Sequence, residues 1–315
     1  MPQIFLLSKQ DLELSKQEVL ALTNKQDFML IDNLLIINSN FKDYKRLAYT
    51  KEVYELLFIS NPKNLLADMK NFNWQKIYKT NFCLRAHNAE GFTEKQLASY
   101  IWSKIKSPKV DLKSPKTDIH LFFIKNKAIA ALSKYKNRQE FEKRRPHLRP
   151  ELHPSSLNPR LARALINITG IKKGKILDPF CGSGGILIEA GLSNLKPIGY
   201  DTDKIMLKRA EINLKHYKIK DYQLKQQDAV KIKIKFNYIV ADLPYSRNTK
   251  KQNLAKLYLG FLKTLKKILK KKAVIGFPDF IDCRSLIEKS KLKIEKEFSY
   301  YLHKSLTKKV IIISP

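Results

Sequence analysis

The segment Asp178-Pro-Phe-Cys-Gly-Ser-Gly-Gly185 constrains this chain more than any other stretch. It follows a short apolar strand candidate, Lys175-Ile-Leu, and opens into a helix candidate, Ile186-Leu-Ile-Glu-Ala. An acidic residue closing a buried strand, then a glycine-rich turn and a helix, is how an open α/β sheet binds an adenosine-bearing cofactor. The dinucleotide fingerprint requires a third glycine three residues after Gly184, and that position is Leu187. With no pyrophosphate to cradle, the glycines serve to let the backbone approach a small ligand. That fits S-adenosylmethionine better than NAD.

Length and charge narrow the partner. At 315 residues the chain has room for two domains with separate cores. Its formal charge of +32 is spread over both halves, with 27 basic against 15 acidic residues up to position 150 and 34 against 14 beyond it. A heat-adapted surface would bring matching glutamate, whereas 61 basic residues here face 29 acidic ones. The balance points to nucleic acid. Cys83, Cys181 and Cys283 form no CxxC pair and lie beside no histidine cluster, so neither a disulfide framework nor a metal site is expected. The N-terminus lacks the basic flank of a signal peptide, and no apolar run reaches membrane-spanning length. A cytoplasmic location without membrane association follows as the expectation.

Before residue 134 the chain reads as an α+β module. Strands are expected at Gln3–Leu7, Leu34–Asn38, Thr80–His87, Val110–Leu112, Asp118–Ile124 and Lys127–Leu132, with Trp74–Ile77 leading toward one. Helices are expected at Lys16–Leu22, Tyr49–Ile59 and Glu94–Ile105. Residues 134–150, charged and punctuated by prolines, read as an interdomain linker whose cations are able to track a phosphate backbone.

From Pro159 onward the pattern alternates. A helix from Pro159 to Ile168 is capped by Gly170. Strands Lys175–Asp178, Pro197–Asp201, Tyr222–Lys225, Phe236–Ala241 and Ala273–Phe277 are separated by helices at Gly184–Ser193, Lys204–Tyr217, Leu254–Lys271 and Cys283–Lys289. Such alternation predicts a doubly wound parallel sheet. Lys291–Tyr300 and Lys308–Ser314, with no helix between them, are expected as an antiparallel edge hairpin. The cations of Lys263–Lys272 suit either a helix C-terminus or contact with RNA.

Acidic residues are scarce in this half, so their positions carry information. Asp178, Asp201, Asp228 and Asp242 close strands or sit just beyond them, where an open α/β sheet faces its ligand crevice. Asp201 is placed to accept ribose hydroxyls. Asp228, or the amide of Ala229, is placed to read an adenine edge. Any one of these is also an ordinary helix N-cap; four in order are better explained by a shared site.

Asp242-Leu-Pro-Tyr245 adds chemistry. An exocyclic base amine is a poor nucleophile because its lone pair is delocalised, so it must be held in line by hydrogen-bond acceptors. Asp242 takes one N–H and a backbone carbonyl takes the other. Pro244 stiffens the loop, and Tyr245 offers a stacking face for an extruded base. No cysteine lies near Asp242, which disfavours a thiolate mechanism at a pyrimidine ring. His147, Arg149 and His153 lie near the cofactor motif in sequence without an assigned role.

These residues resemble the THUMP-containing class I RNA methyltransferases, closest to the tRNA guanine-N2 methyltransferases acting at position 10, of archaeal type. The resemblance rests on Arg145-Pro-His-Leu-Arg-Pro150, Pro154-Ser-Ser-Leu-Asn-Pro-Arg-Leu-Ala-Arg-Ala-Leu165, Asp178–Gly191 and Asp242–Tyr245. More weakly, Phe82-Cys-Leu-Arg85 and Val110–Pro115 resemble THUMP strands. It implies a Rossmann-like class I methyltransferase domain over 159–315, preceded by an α+β THUMP-containing RNA-binding half. That half divides into an N-terminal subdomain (1–48), a THUMP-like domain (49–135) and a basic linker (136–158).

The resemblance also implies S-adenosylmethionine held by Asp178, Pro179, Phe180, Cys181, Gly182, Gly184, Asp201, Asp228, Ala229 and Asp242, with Asp242, Pro244 and Tyr245 serving catalysis. The implied partner is tRNA, bound by a monomer or by a monomer with a small activating subunit. Gly184-Gly185 and an initial Asp in the amine motif favour guanosine 10 over guanosine 6 or ribosomal RNA. The module before residue 134 disfavours DNA adenine, and the intact acids disfavour a non-catalytic RNA-binding protein. Two departures stand out: the usual Asp-Pro-Pro-Tyr is Asp-Leu-Pro-Tyr, and Ser246 replaces a common glycine.

Overall fold

The computed structural model of the chain describes residues 2–89, 91–153, 156–245, 251–303 and 306–315. Pro154, Ser155 and Ser246, which bear on the resemblance, lie outside them. Two compact units emerge. The first comprises Met1–Leu12, Lys25–Tyr44 and Thr50–Arg138; the second comprises Glu13–Asn24, Lys45–Tyr49 and Gln139–Pro315.

The first unit is built on strands β1 (Pro2–Leu7), β2 (Met29–Ile31), β3 (Leu34–Asn38), β4 (Thr50–Ser60), β5 (Phe82–His87), β6 (Thr117–Ile124) and β7 (Lys127–Lys136). They form one seven-stranded sheet in the order β2-β3-β1-β4-β7-β6-β5, so the sheet continues across position 48. Only β5 and β6 run parallel. Helix α1 (Leu12–Thr23) follows β1 in sequence but belongs to the second unit from Glu13 onward. Helices α2 (Leu65–Asn71) and α3 (Glu94–Trp102) bury Leu65, Met69, Leu97 and Ile101 with Trp74, Phe82 and Leu84.

Three local expectations fail here. Of residues Tyr49–Ile59, expected as a helix, all but Tyr49 lie in β4, which pairs with β1 on one side and β7 on the other. The run Val53-Tyr-Glu-Leu-Leu-Phe-Ile59 carries apolar residues that satisfy both periods, and its β-branched and aromatic side chains suit a central strand. Trp74–Lys76 is a single 3-10 turn, pinned by Trp74 Nε1 donating to Met69 O at 2.7 Å, not the approach to a strand. Val110 makes one isolated bridge to Phe82, and no strand forms over Val110–Leu112.

The second unit carries β8 (Lys175–Asp178), β9 (Lys196–Asp201), β10 (Gln223–Gln226), β11 (Phe236–Asp242), β12 (Leu269–Pro278), β13 (Lys293–His303) and β14 (Leu306–Ser314). Its helices beyond α1 are α4 (Pro159–Ile168), α5 (Gly185–Gly191), α6 (Lys204–His216), α7 (Lys251–Ile268) and α8 (Cys283–Lys289). The strand order is β10-β9-β8-β11-β12-β14-β13, parallel except at β14, which is antiparallel to both neighbours. Alternate residues serve opposite layers, as a sheet covered on both faces requires. Ile239 and Ala241 pack with Tyr258, Phe261 and Leu265 of α7, while Val240 packs with Leu161 and Leu165 of α4, Ile186 of α5 and Leu14 of α1.

The order in which successive strands are added reverses between β8 and β11, which themselves run parallel. Ligands of open α/β sheets bind beyond the carboxyl ends of the strands at that switch point. Here those ends are Asp178 and Asp242.

Two further expectations change. Helix α7 stops at Ile268, so Lys270, Lys271 and Lys272 begin β12 and do not continue a basic helix. The stretch expected as a linker is packed: Phe141 is buried with α4 residues, and Arg144 pairs with the buried Glu189 of α5 at 2.7 Å. Arg149 is 5% exposed.

Candidate active site

The site expected from sequence comprises twelve residues, Asp178, Pro179, Phe180, Cys181, Gly182, Gly184, Asp201, Asp228, Ala229, Asp242, Pro244 and Tyr245, with Asp242 assigned to both cofactor and catalysis. All of them except Gly184 line one cavity of about 330 Å³ within the second unit. Gly184 holds the turn instead. Its φ of +88° is a left-handed conformation that side chains rarely adopt, and a Cβ there would lie 3.2 Å from Ala210 Cβ of α6. The following Gly185 does line the cavity, and a Cβ on it would meet Arg149 Nη1 at 3.2 Å.

The carboxylates are partly engaged by the chain itself. Asp201 Oδ2 accepts from Gly182 N–H at 2.9 Å and Oδ1 from Asp203 N–H at 2.9 Å, which fixes the glycine loop against β9. Asp228 Oδ1 accepts from Val230 N–H at 3.0 Å, so it caps a short turn as well as facing the cavity. Each carboxylate oxygen has a second lone pair, so these bonds leave room for hydroxyl or amine donors.

Asp178 is 2% exposed. Burial pushes its carboxyl well above the usual carboxylate range; the Phe180 N–H bonded to it opposes this, and the charges of Asp242 and Asp201 add to it. Among the described residues no lysine or arginine pairs with it. A ligand bringing positive charge would offset that cost, and S-adenosylmethionine carries both a sulfonium and an ammonium. The residues present therefore fit this cofactor. Cys181, beside it, is no nucleophile: burial, then the Asp178 and Asp201 charges, push its thiol well above the usual range.

Replacing Asp178 with asparagine is expected to raise the melting temperature of the ligand-free protein while weakening S-adenosylmethionine binding about 10- to 100-fold. The folded state holds the Asp178 proton more tightly than the unfolded chain does, so ligand-free stability falls as pH rises from about 4 toward the folded pKa. Asparagine removes that slope and still accepts from Phe180 N–H. Melting curves and calorimetry on the two proteins across pH check both parts.

Asp242 ends β11 with its side chain 15% exposed. Burial raises its pKa, and the charge and hydrogen bond of Lys308 pull the other way. Beyond it the loop is held at both middle residues. Leu243 N–H donates to Gly276 O at 3.0 Å, and Tyr258 of α7 donates to Pro244 O at 2.7 Å. A proline at 243 would have no N–H to give, so the departure from the usual motif adds a main-chain bond where it removes ring stiffness. Burial, then the Asp242 charge, push the Tyr245 hydroxyl up to about 12, so the ring is neutral at physiological pH.

Sequence reasoning missed further residues beside the cofactor loop. His153, Ser156 and Leu157 line the cavity. Ser156 Oγ lies 2.8 Å from Ser183 Oγ, and Asn213 of α6 ties Glu151 O and Ser183 O together at 3.0 Å each. Lys308 was also missed. It meets Asp242 from a strand remote in sequence, and no local pattern distinguishes it from the many other lysines.

Among the described residues no group of histidine, cysteine, aspartate or glutamate could hold a metal ion, and no helix is long and apolar enough to cross a membrane. A family model described as an RMKL-like methyltransferase domain matches residues 146–308. Another, described as DNA methylase, matches residues 8–211 and so ends before Asp242. The solved structure of TrmN from Thermus thermophilus superposes with a TM-score of 0.52 at 16% identity, covering 100% of this chain and 99% of that one, which supports the fold. The tRNA (guanine(10)-N2)-dimethyltransferase of Methanothermobacter thermautotrophicus is 35% identical over 285 residues, 85% of this chain and 83% of that protein. The enzyme of the same name from Pyrococcus abyssi is 32% identical over 315 residues, 94% of each. Likeness at that level over nearly the whole length, on a sheet that brings Asp178 and Asp242 to one cavity, makes this chain a member of the tRNA (guanine(10)-N2)-dimethyltransferase family.

Proposed function

We propose that this chain methylates the exocyclic N2 amine of guanosine 10 in tRNA, with Asp242 as the acceptor that holds and deprotonates the amine. The observation that carries this reading is the meeting of Asp178, Asp242 and Tyr245 around one cavity at the sheet's switch point. S-adenosylmethionine, when bound, supplies an electrophilic methyl group on a sulfonium. Asp178, the glycine loop and Asp201 would hold that cofactor, and Asp228 with the Ala229 amide would meet its adenine. Tyr245 stacks on the extruded guanine. Asp242 accepts an N–H of N2, keeps the nitrogen lone pair in line, and takes the proton that N2 loses once its bond to carbon has formed and the carbon–sulfur bond has broken.

Residues 49–135, where α2 and α3 cover β5 and β6, serve as the THUMP-like RNA grip, and the protein works in the cytoplasm as a monomer. The relatives are named dimethyltransferases, which supports two successive transfers giving N2,N2-dimethylguanosine. Incubation of the purified chain with labelled S-adenosylmethionine and a tRNA transcript tests the reading. Label should enter the wild-type transcript and be absent when G10 is changed to A, and nucleoside mass analysis should show the dimethylated base. Equal labelling of both transcripts would overturn the choice of guanosine, and a requirement for added extract would instead indicate an activating subunit.

The charge of +32 makes a separate prediction. Neutralising tRNA phosphates releases counterions, so affinity should fall at least about tenfold between roughly 50 and 200 mM salt. A filter-binding titration giving a flat dependence would remove the electrostatic account of RNA binding.

A further inference from the structure

Lys308 begins its part of β14 opposite Pro278, at the ligand end of the sheet, because β14 runs antiparallel to β12. On β12, Gly276 lies opposite Asp242 of β11 and opposite Val310 of β14. A Cβ at Gly276 would stand 3.0 Å from Asp242 Oδ1 and 3.8 Å from Lys308 Cδ. The missing side chain opens a corridor across β12, and through it the Lys308 ammonium bonds Asp242 Oδ1. Lys308 is itself 3% exposed, and its Nζ lies 4.9 Å from the centre of the Tyr245 ring.

We propose that Lys308, admitted across Gly276, is a positioning residue for methyl transfer: it orients the Asp242 carboxylate, keeps it ionised, and backs one face of Tyr245. This rests on the reading of Asp242 as the amine acceptor. With Oδ1 committed to Lys308, Oδ2 is the oxygen left for the substrate N–H; among the described residues no donor reaches it. The ammonium over the Tyr245 ring adds a cation–π contact and leaves the opposite face for a base. Three other titratable groups bear on Asp242: Asp178 at the end of β8, Tyr245 beyond β11 and Tyr258 on α7. None is a cation, so among the described residues the lysine alone opposes the burial that favours the protonated acid.

The test compares wild type, Lys308→Met and Lys308→Arg in pH–rate profiles for tRNA methylation, alongside NMR titration of ¹³C-labelled aspartate carboxyls assigned with Asp242→Asn. In Lys308→Met, the acid limb of kcat and the Asp242 titration should both move upward by roughly 1–3 pH units. S-adenosylmethionine affinity by calorimetry should stay within about threefold, and the arginine variant should move the limb back toward wild type. If Lys308→Met does not fold, Gly276→Ala, which crowds the corridor while keeping the charge, should reduce kcat with cofactor affinity retained. An acid limb and titration unchanged in Lys308→Met, or wild-type kcat in Gly276→Ala, would overturn the proposal. The underlying reading fails separately, if Asp242→Ala itself retains wild-type turnover.

Discussion

Asp242→Ala is expected to lower methyl transfer to tRNA by about 10²–10⁴-fold, the range for losing a positioned proton acceptor, while S-adenosylmethionine affinity changes only a few-fold. The separation follows from position. Asp242 lines the cavity from the end of β11, whereas the other groups that would hold the cofactor lie on β8, β9, the glycine loop between them and the turn that Asp228 caps. Alanine also strands the buried ammonium of Lys308, so part of any loss could come from instability. Asp242→Asn separates the two effects: its carbonyl still accepts from the Lys308 ammonium and it fills the same space, but it offers the substrate no second acceptor and cannot take a proton. It should be about as slow as alanine while melting between alanine and wild type. Single-turnover rates with saturating cofactor, paired with melting curves, check the order. An asparagine variant as fast as wild type would leave Asp242 a purely geometric role.

Much of this site was legible because α/β sheets put ligand residues where strands end. The acids Asp178, Asp201, Asp228 and Asp242 each close a strand or follow one closely, and each can be found by scanning for an acid after an apolar run. The role of Gly184 was read less well, because a glycine required by a turn and one that makes room for a ligand look the same in sequence. Lys308 was invisible for a different reason. Its neighbour Asp242 is 66 positions away, and the meeting depends on β14 inserting between β12 and β13 in reverse direction. Within the first unit, β4 was misread because its apolar residues fit either period, and pairing on both edges decides the matter. Likewise, the apolar face of α1 predicts a helix but says nothing about which sheet it will cover.

The placement of α1 sets the second large expectation: a methyltransferase fragment beginning near residue 139 should not fold as a stable body. Glu18 of α1 is fully buried within the second unit. Its carboxyl accepts from Ala48 N–H at 2.8 Å, Tyr49 N–H at 2.9 Å and Asn167 Nδ2 of α4 at 2.7 Å. Asn167 Oδ1 in turn accepts from Arg46 Nη2 at 2.9 Å, and Arg46 Nη1 reaches Ile171 O at 2.6 Å. Arg160 of α4 donates to Ala48 O at 2.9 Å, and the Tyr49 hydroxyl meets that of Tyr300 on β13 at 2.9 Å. Deleting the first 138 residues removes the Glu18 carboxyl, Arg46 and the Ala48 carbonyl, leaving Asn167 without its buried partners and uncovering apolar surface around Ile168. In the full chain, Glu18→Ala keeps the covering helix but strands two backbone N–H groups and one N–H of the Asn167 amide, whose other N–H keeps Arg46 O. A cost of about 3–5 kcal/mol is expected, as for other broken buried polar networks, well above the ~1 kcal/mol typical of a substitution. Denaturant titration measures it. Glu18→Gln, which keeps one acceptor oxygen but points an amide at a donor, should fall between alanine and wild type. A fragment from residue 139 that melts cooperatively at the full-length temperature would show that α1 and residues 45–49 contribute nothing essential to the catalytic body.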